Sequence, residues 1–167
     1  MSRHPHERRV PKSAALSVLT VSDTRTPEDD RSGRLVRSLL EAAGHRVVAY
    51  RVLPDEPDAI VRCVEEWLVR DDCDGILVSG GTGISTRDCT CEALSGLLDK
   101  RLNGFGELFR MLSYEQVGSR AMLSRALCGI ARRKPLFSLP GSPAAVRLAL
   151  EKLILPELGH LLGELEK

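Results

Sequence analysis

The chain has 167 residues, 43% of them apolar and 28% charged, with a formal net charge of +1. That length and composition fit one soluble domain able to bury a core. The near-neutral balance excludes an overall field that would recruit nucleic acid or an acidic membrane, and no apolar run approaches the ~18 residues of a membrane span.

The start, "MSRHPHERRVPKSAA", is basic but carries no apolar stretch of the signal-peptide kind. It reads as a flexible arm over residues 1–13, followed by one domain over 14–167. "ALSVLTV" (15–21) is a short β-branched apolar run and predicts a buried strand. The polar loop "SDTRTPEDDRSG" follows it. "RLVRSLLEAAG" then sets Leu35, Val36, Leu39, Leu40 and Ala43 at helical spacing, with Gly44 as terminator. "HRVVAYRVL" predicts a second strand, closed by "PDEPD". "AIVRCVEEWLV" repeats the helical period through Ile60, Val61, Val64, Trp67 and Leu68, and "DGILVS" predicts a third strand.

Beyond the third strand the pattern loosens. "CEALSGLLD" reads as helical, and "GELFRMLSYEQVG" reads as a helix ending at Gly118. "MLSRALCGIA" fits either helix or strand, while "PLFSLPG" predicts a strand. "SPAAVRLALEKLILPELGHLLGEL" supplies one or two final helices, with Pro156 marking a break or kink. Alternating strands and helices with short connections imply parallel pairing and right-handed crossovers. The expected fold is a single-domain, open, doubly wound α/β sheet, mostly parallel, with helices on both faces.

In such sheets ligands gather at the carboxyl ends of the strands. Here those ends carry "SDTRT" (22–26), "PDEPD" (54–58), "SGGTG" (79–83) and "LPGSP" (139–143). Gly80, Gly81 and Gly83 permit positive φ and close approach of a ligand to the backbone, and successive N–H groups in such a turn make an anion nest. A helix beginning at Thr90 would add partial positive charge. The loop is neither a Walker A loop nor a GxGxxG fingerprint. Asp88, beside a phosphate cradle, repels the ligand unless a cation intervenes; Mg²⁺ binds through one or two carboxylates plus phosphate oxygens. Asp55 could supply the second carboxylate, and Asp23 is another candidate. Each of these aspartates has a plainer reading as a helix cap or turn residue.

The five cysteines are Cys63, Cys73, Cys89, Cys91 and Cys128. An odd count without a secretory signal points to reduced thiols and a cytoplasmic location. Cys89 and Cys91 have no second pair at zinc-site spacing. Between residues 110 and 134, Arg110, Arg120, Arg125, Arg132, Arg133 and Lys134 stand against Glu115 alone. An anionic ligand would favour such a segment. The few aromatic residues do not alternate with these arginines as base stacking needs, so nucleic acid is not the expected partner. No GxSxG elbow or HExxH pair is present.

Taken in order, "SDTR", "SGGTGISTRDCTCEAL", "NGFGELFRMLSYEQVGSRAMLSRA" and "LPGSPAAVRLALEKLILPELGHL" closely resemble the MoaB/MogA family of molybdenum cofactor biosynthesis. The likeness runs from about residue 14 to the C-terminus. Its compact C-terminus, without an insertion after "LPGSP", is similar to the MoaB branch. The resemblance implies a molybdopterin-binding α/β fold and, in active members, transfer of AMP from Mg·ATP to the terminal phosphate of molybdopterin, with release of pyrophosphate. It also implies roles for Asp55 and Asp88 as catalytic and Mg²⁺-binding carboxylates. The implied binding residues are Ser22, Asp23, Gly80, Gly81, Thr82, Gly83, Ser85, Pro140, Gly141 and Ser142. The implied assembly is a homotrimer or a homohexamer of two trimers. Cys89 and Cys91 stand where relatives often carry Val and Pro. The alternative reading is a molybdopterin-binding protein of the same pathway that performs no chemistry.

Overall fold

The computed structural model describes residues 13–167. The arm expected over 1–13 lies outside the described residues apart from Ser13. Six strands form one sheet in the order β2-β1-β3-β6-β5-β4. They are β1 (Ala15–Val21), β2 (Arg46–Leu53), β3 (Gly75–Ser79), β4 (Lys100–Arg101), β5 (Leu127–Ala131) and β6 (Lys134–Leu139). β2, β1, β3 and β6 run parallel. β5 is antiparallel to β6, and the short edge strand β4 is antiparallel to β5, so β5 alone runs against the other five. The single-domain, mostly parallel α/β sheet expected from the sequence is therefore the fold observed.

Both faces of this sheet are covered, which is why its central strands read as continuous apolar runs. Along β1, Leu16 and Val18 enter one core while Leu19 and Val21 enter the other, the period-two alternation of a strand buried twice. The first core is closed by α1 (Arg31–Ala42), α4 (Asn103–Val117), α5 (Pro143–Ala149) and α6 (Leu155–Leu165). The second is closed by α2 (Pro57–Leu68) and α3 (Thr90–Ser95), with Trp67 fully buried in it.

Three segments depart from the sequence reading. The ambiguous stretch 122–131 ends a 3-10 turn (Gly118–Leu123) and then becomes β5. β5 returns to β6 through Arg132 and Arg133, both at positive φ, 46° and 63°. Two-residue hairpin turns of this hand usually carry Asn-Gly or Asp-Gly, so a pair of arginines gives no local signal. Tertiary bonds hold the turn instead: the Arg132 N–H donates to Asp99 Oδ2 at 2.7 Å, and Arg133 Nη2 donates to the Leu165 carbonyl. The helix predicted over "CEALSGLLD" stops at Ser95. Pro156 does not break the last helix. Proline removes one N–H and crowds the carbonyl four residues back. The π-helical turn Leu150–Ile154 widens the ladder at that point, with the Leu155 N–H bonded to Leu150 O, and the helix runs on.

His45 closes the turn between α1 and β2, its Nδ1 accepting the Ala14 N–H at 3.1 Å. That bond requires an unprotonated Nδ1, and burial holds the imidazole pKa below its ordinary value. Below about pH 6.5 the unfolded chain therefore binds more protons at this residue than the folded one, and stability falls as pH drops through that window. Urea midpoints measured at about pH 7.5 and about pH 5.5 are expected to fall less for His45→Gln than for the native chain. Equal declines would remove His45 from the account.

Candidate functional site

Because β2, β1, β3 and β6 are parallel, the segments after Leu53, Val21, Ser79 and Leu139 leave the sheet at one edge. β5 runs the other way, so Arg125, just ahead of it, arrives at that edge too. The four loops expected to converge do so, joined by a fifth segment.

The glycine loop is pressed into this edge. The Gly80 N–H donates to Leu139 O at 3.0 Å. Gly80 has φ +97°, and a Cβ there would lie 2.1 Å from the Val21 carbonyl oxygen. At Gly81, φ +61°, a Cβ would meet Thr90 Oγ1 at 2.2 Å and Asp55 Oδ2 at 2.6 Å. Only bare backbone allows the loop to pass between β1 on one side and Asp55 with Thr90 on the other. Gly141 would carry a Cβ 3.2 Å from the Gly80 Cα, so the "LPGSP" loop rests directly on the glycine loop.

Asp55 is 8% exposed. Its plain reading as the cap of α2 does not hold: the N-cap of that helix is Glu56, which makes no side-chain cap bond. Instead Asp55 Oδ1 accepts from the Cys89 N–H at 3.1 Å and from Cys89 Sγ at 3.0 Å. Oδ2 faces Gly81. Thr90 Oγ1, on the same side of Gly81, is buried without a hydrogen-bond partner among the described residues. The Cys89 thiol is pushed up to about 12, first by burial and then by the Asp55 carboxylate. It is a neutral donor to Asp55.

Asp88 is held differently. Its Oδ2 accepts from Ser85 Oγ at 2.6 Å and from the Ser85 N–H at 2.9 Å. The Ser85 hydroxyl, followed by backbone N–H groups, keeps its carboxyl below the usual range. The turn role considered for Asp88 is therefore present, with the other carboxylate oxygen, Oδ1, left outside those bonds.

Two arginines tie these loops together. Arg87 donates from Nη2 and Nε to Asp23 at 3.0 and 3.1 Å, and from Nη1 to Glu56 at 3.1 Å. Asp23 Oδ1 also accepts the Asp55 N–H at 2.9 Å. Arg87 holds the Asp23 carboxyl below its ordinary value. Arg125 crosses beneath the loop, donating from Nε to Thr82 O at 3.2 Å and from Nη2 to Asp88 O at 3.1 Å, and it pairs with Glu92. The remaining predicted residues frame the edge. Ser22 Oγ accepts from the Thr24 and Arg25 N–H groups. Ser142 caps α5 by accepting from the Ala145 N–H at 3.2 Å. The Gly141 carbonyl accepts from Ser32 Oγ at 2.5 Å. Pro140, half-buried, precedes it.

One expectation needs correcting. α3 does begin at Thr90 as expected, but it ends at Ser95, and so short a helix adds little dipole at the loop. Attraction for anions there rests on backbone N–H groups and arginines. Among the described residues no three His, Cys, Asp or Glu side chains are grouped to hold a metal ion. Cys91 Sγ turns away from Cys89 and donates to Arg125 O at 3.2 Å. Arg87 carries no signal in the sequence, Cys89 is read there only as a thiol without a metal-site partner, and Thr90 only as a helix start. Arg125 was one of six cations in its segment, and nothing in its spacing marked it.

Residues 17–160 match a family model described as "Probable molybdopterin binding domain". The chain belongs to the molybdenum cofactor biosynthesis family. The MoaB/MogA family members similar to it include molybdenum cofactor biosynthesis protein B of Bacillus cereus, 52% identical over all of this chain and 99% of that protein. A crystal structure of a molybdenum cofactor biosynthesis protein B superposes with a TM-score of 0.91 at 53% identity, covering 95% of this chain and 99% of the other. The tungsten cofactor synthesizing protein MoaB from Pyrococcus furiosus superposes with a TM-score of 0.85 at 37% identity, over 94% of this chain and 99% of the other. No helix of the described residues is long and apolar enough to cross a membrane.

Proposed function

We propose that this MoaB/MogA family chain binds molybdopterin at the loop edge and adenylylates it with Mg·ATP, releasing pyrophosphate. The observation that carries the reading is the close packing of the Asp55 carboxylate and the buried, unpartnered Thr90 hydroxyl against the bare backbone of Gly81, at the edge where the loops converge. Oxygen donors of this kind suit a hard cation. Asp55 and Asp88 would hold Mg²⁺, whose chemistry is to offset phosphate charge. The chain's own part is positioning and electrostatic stabilisation. Phosphate oxygens are bound by the N–H groups of Gly81 and Thr82, since the Gly80 N–H is taken by Leu139 O. Arg125 keeps Thr82 and Asp88 in place, and the "LPGSP" loop closes the other side of the crevice. No side-chain nucleophile is needed, because the pterin phosphate itself attacks.

The Asp88–Ser85 turn supports the second reading, a molybdopterin-binding protein without chemistry, since it gives that carboxylate a structural task. Purified protein incubated with molybdopterin and Mg·ATP separates the two. Adenylyl-molybdopterin from the native chain, falling about a hundredfold in Asp88→Asn, supports transfer. A folded native chain that binds molybdopterin and yields no product supports the second reading.

The resemblance also implies a homotrimer or homohexamer. Leu108, Met111, Tyr114 and Val117 on α4, with Met122 and Leu123 beyond it, are all large, apolar and about half or more exposed. A contiguous apolar surface of this kind supports self-association. The cytoplasmic reading rests on five free thiols.

A further inference from the structure

A second concavity of about 400 Å³ lies on the far side of Arg125 from the glycine loop, between α3, α4 and the start of β5. Arg101 from β4, Arg110 from α4 and Arg125 all line it, with Ser95 and Asn103 as neutral polar neighbours and Glu107 as its acid. These arginines come from separate elements and converge on one hollow, which a merely solvated helix face does not produce.

Their charges are only partly matched locally. Arg125 pairs with Glu92, but among the described residues neither Arg101 nor Arg110 has a carboxylate partner. Arg110 Nη1 makes long bonds to Ser124 O at 3.4 Å and Ala126 O at 3.3 Å. Its Nε and Nη2 have no protein acceptor among the described residues. The guanidinium lies against the backbone at Gly106, where a Cβ would meet Nη2 at 2.9 Å and Ala126 O at 2.8 Å. Any larger residue at 106 would push Arg110 out of this seat. Guanidiniums gathered in one recess repel one another, and an anion bound between them relieves that repulsion through charge-assisted bonds.

We propose that this pocket binds a phosphate-class polyanion, held by Arg101, Arg110 and Arg125. The site is distinct from the glycine loop and touches it only through Arg125, so it stands whether or not adenylyl transfer occurs.

Inorganic pyrophosphate is the probe, titrated into ¹⁵N-labelled full-length protein at constant ionic strength. The Nε–Hε resonances of Arg101 and Arg110 are expected to move along one saturating curve. Arg101→Gln, an exposed residue without an ion-pair partner, is expected to weaken binding roughly tenfold, the effect of one charge-assisted hydrogen bond. Arg110→Gln should weaken it further, with its fold checked by circular dichroism. Asp88→Asn should leave this curve unchanged, which separates the pocket from the nucleotide reading. The proposal is overturned by absence of binding. It is equally overturned if Arg101→Gln titrates like the native chain, or if the shifts are confined to the amides of residues 80–83.

Discussion

Asp55→Asn is expected to abolish product formation, by about a hundredfold or more, while lowering the thermal midpoint by no more than a few degrees. The two carboxylate oxygens have different tasks. Oδ1 accepts from the Cys89 N–H and Sγ, and an Asn oxygen can take that place. Oδ2 has no hydrogen-bond partner among the described residues and packs against Gly81 beside the unpartnered Thr90 hydroxyl. Replacing it with an NH₂ removes the charge and adds donors where a cation needs an acceptor. Folding therefore keeps its bonds, and the proposed chemistry loses its ligand. Product formation assayed beside a melting curve checks both halves. Retained activity with native stability would remove Asp55 from the machinery.

Gly80→Ala is expected to have the largest effect on stability of any single methyl addition in the site. At φ +97° a side chain is strained, and the new Cβ would lie 2.1 Å from the Val21 carbonyl oxygen. Backbone strain and overpacking together cost about 3–5 kcal/mol. For a domain of this size each kcal/mol lowers the midpoint by about 2–4 °C, so a fall of roughly 6–20 °C is expected. Gly44→Ala is the control. It shares positive φ, +84°, but nothing lies within 4 Å of its added Cβ. It should cost only about 1–2 kcal/mol. Similar losses for both would mean that the clash at Val21 relaxes freely.

Legibility in the sequence followed the range of the interaction concerned. β1 and β3 were readable because burial on both faces writes itself as an unbroken apolar run. The loop edge was readable because parallel order follows from alternating elements and fixes where strands end. Asp55 and Asp88 could be named, but their partners could not. That Cys89 donates to Asp55 depends on a contact across 34 positions of chain, and Arg125 reaches Asp88 across 37. Such pairings arise from packing, not from local pattern. The β5–β6 hairpin was hidden for a related reason: Arg132 and Arg133 lack turn propensity, and Asp99 and Leu165 supply from a distance what Asn-Gly would supply locally. Pro156 marked an irregularity but not its form: a π-helical turn, and not a break, stands before it.

The reversal of β5 also decides where the molecule can be handled. Its turn at Arg132–Arg133 sits at the opposite end of the sheet from the glycine loop, beside Leu165, and Ser13 borders the same hollow as Arg133 and Leu165. A fluorophore, affinity tag or surface tether attached near residue 13 or residue 167 would thus leave the five converging segments facing open solution.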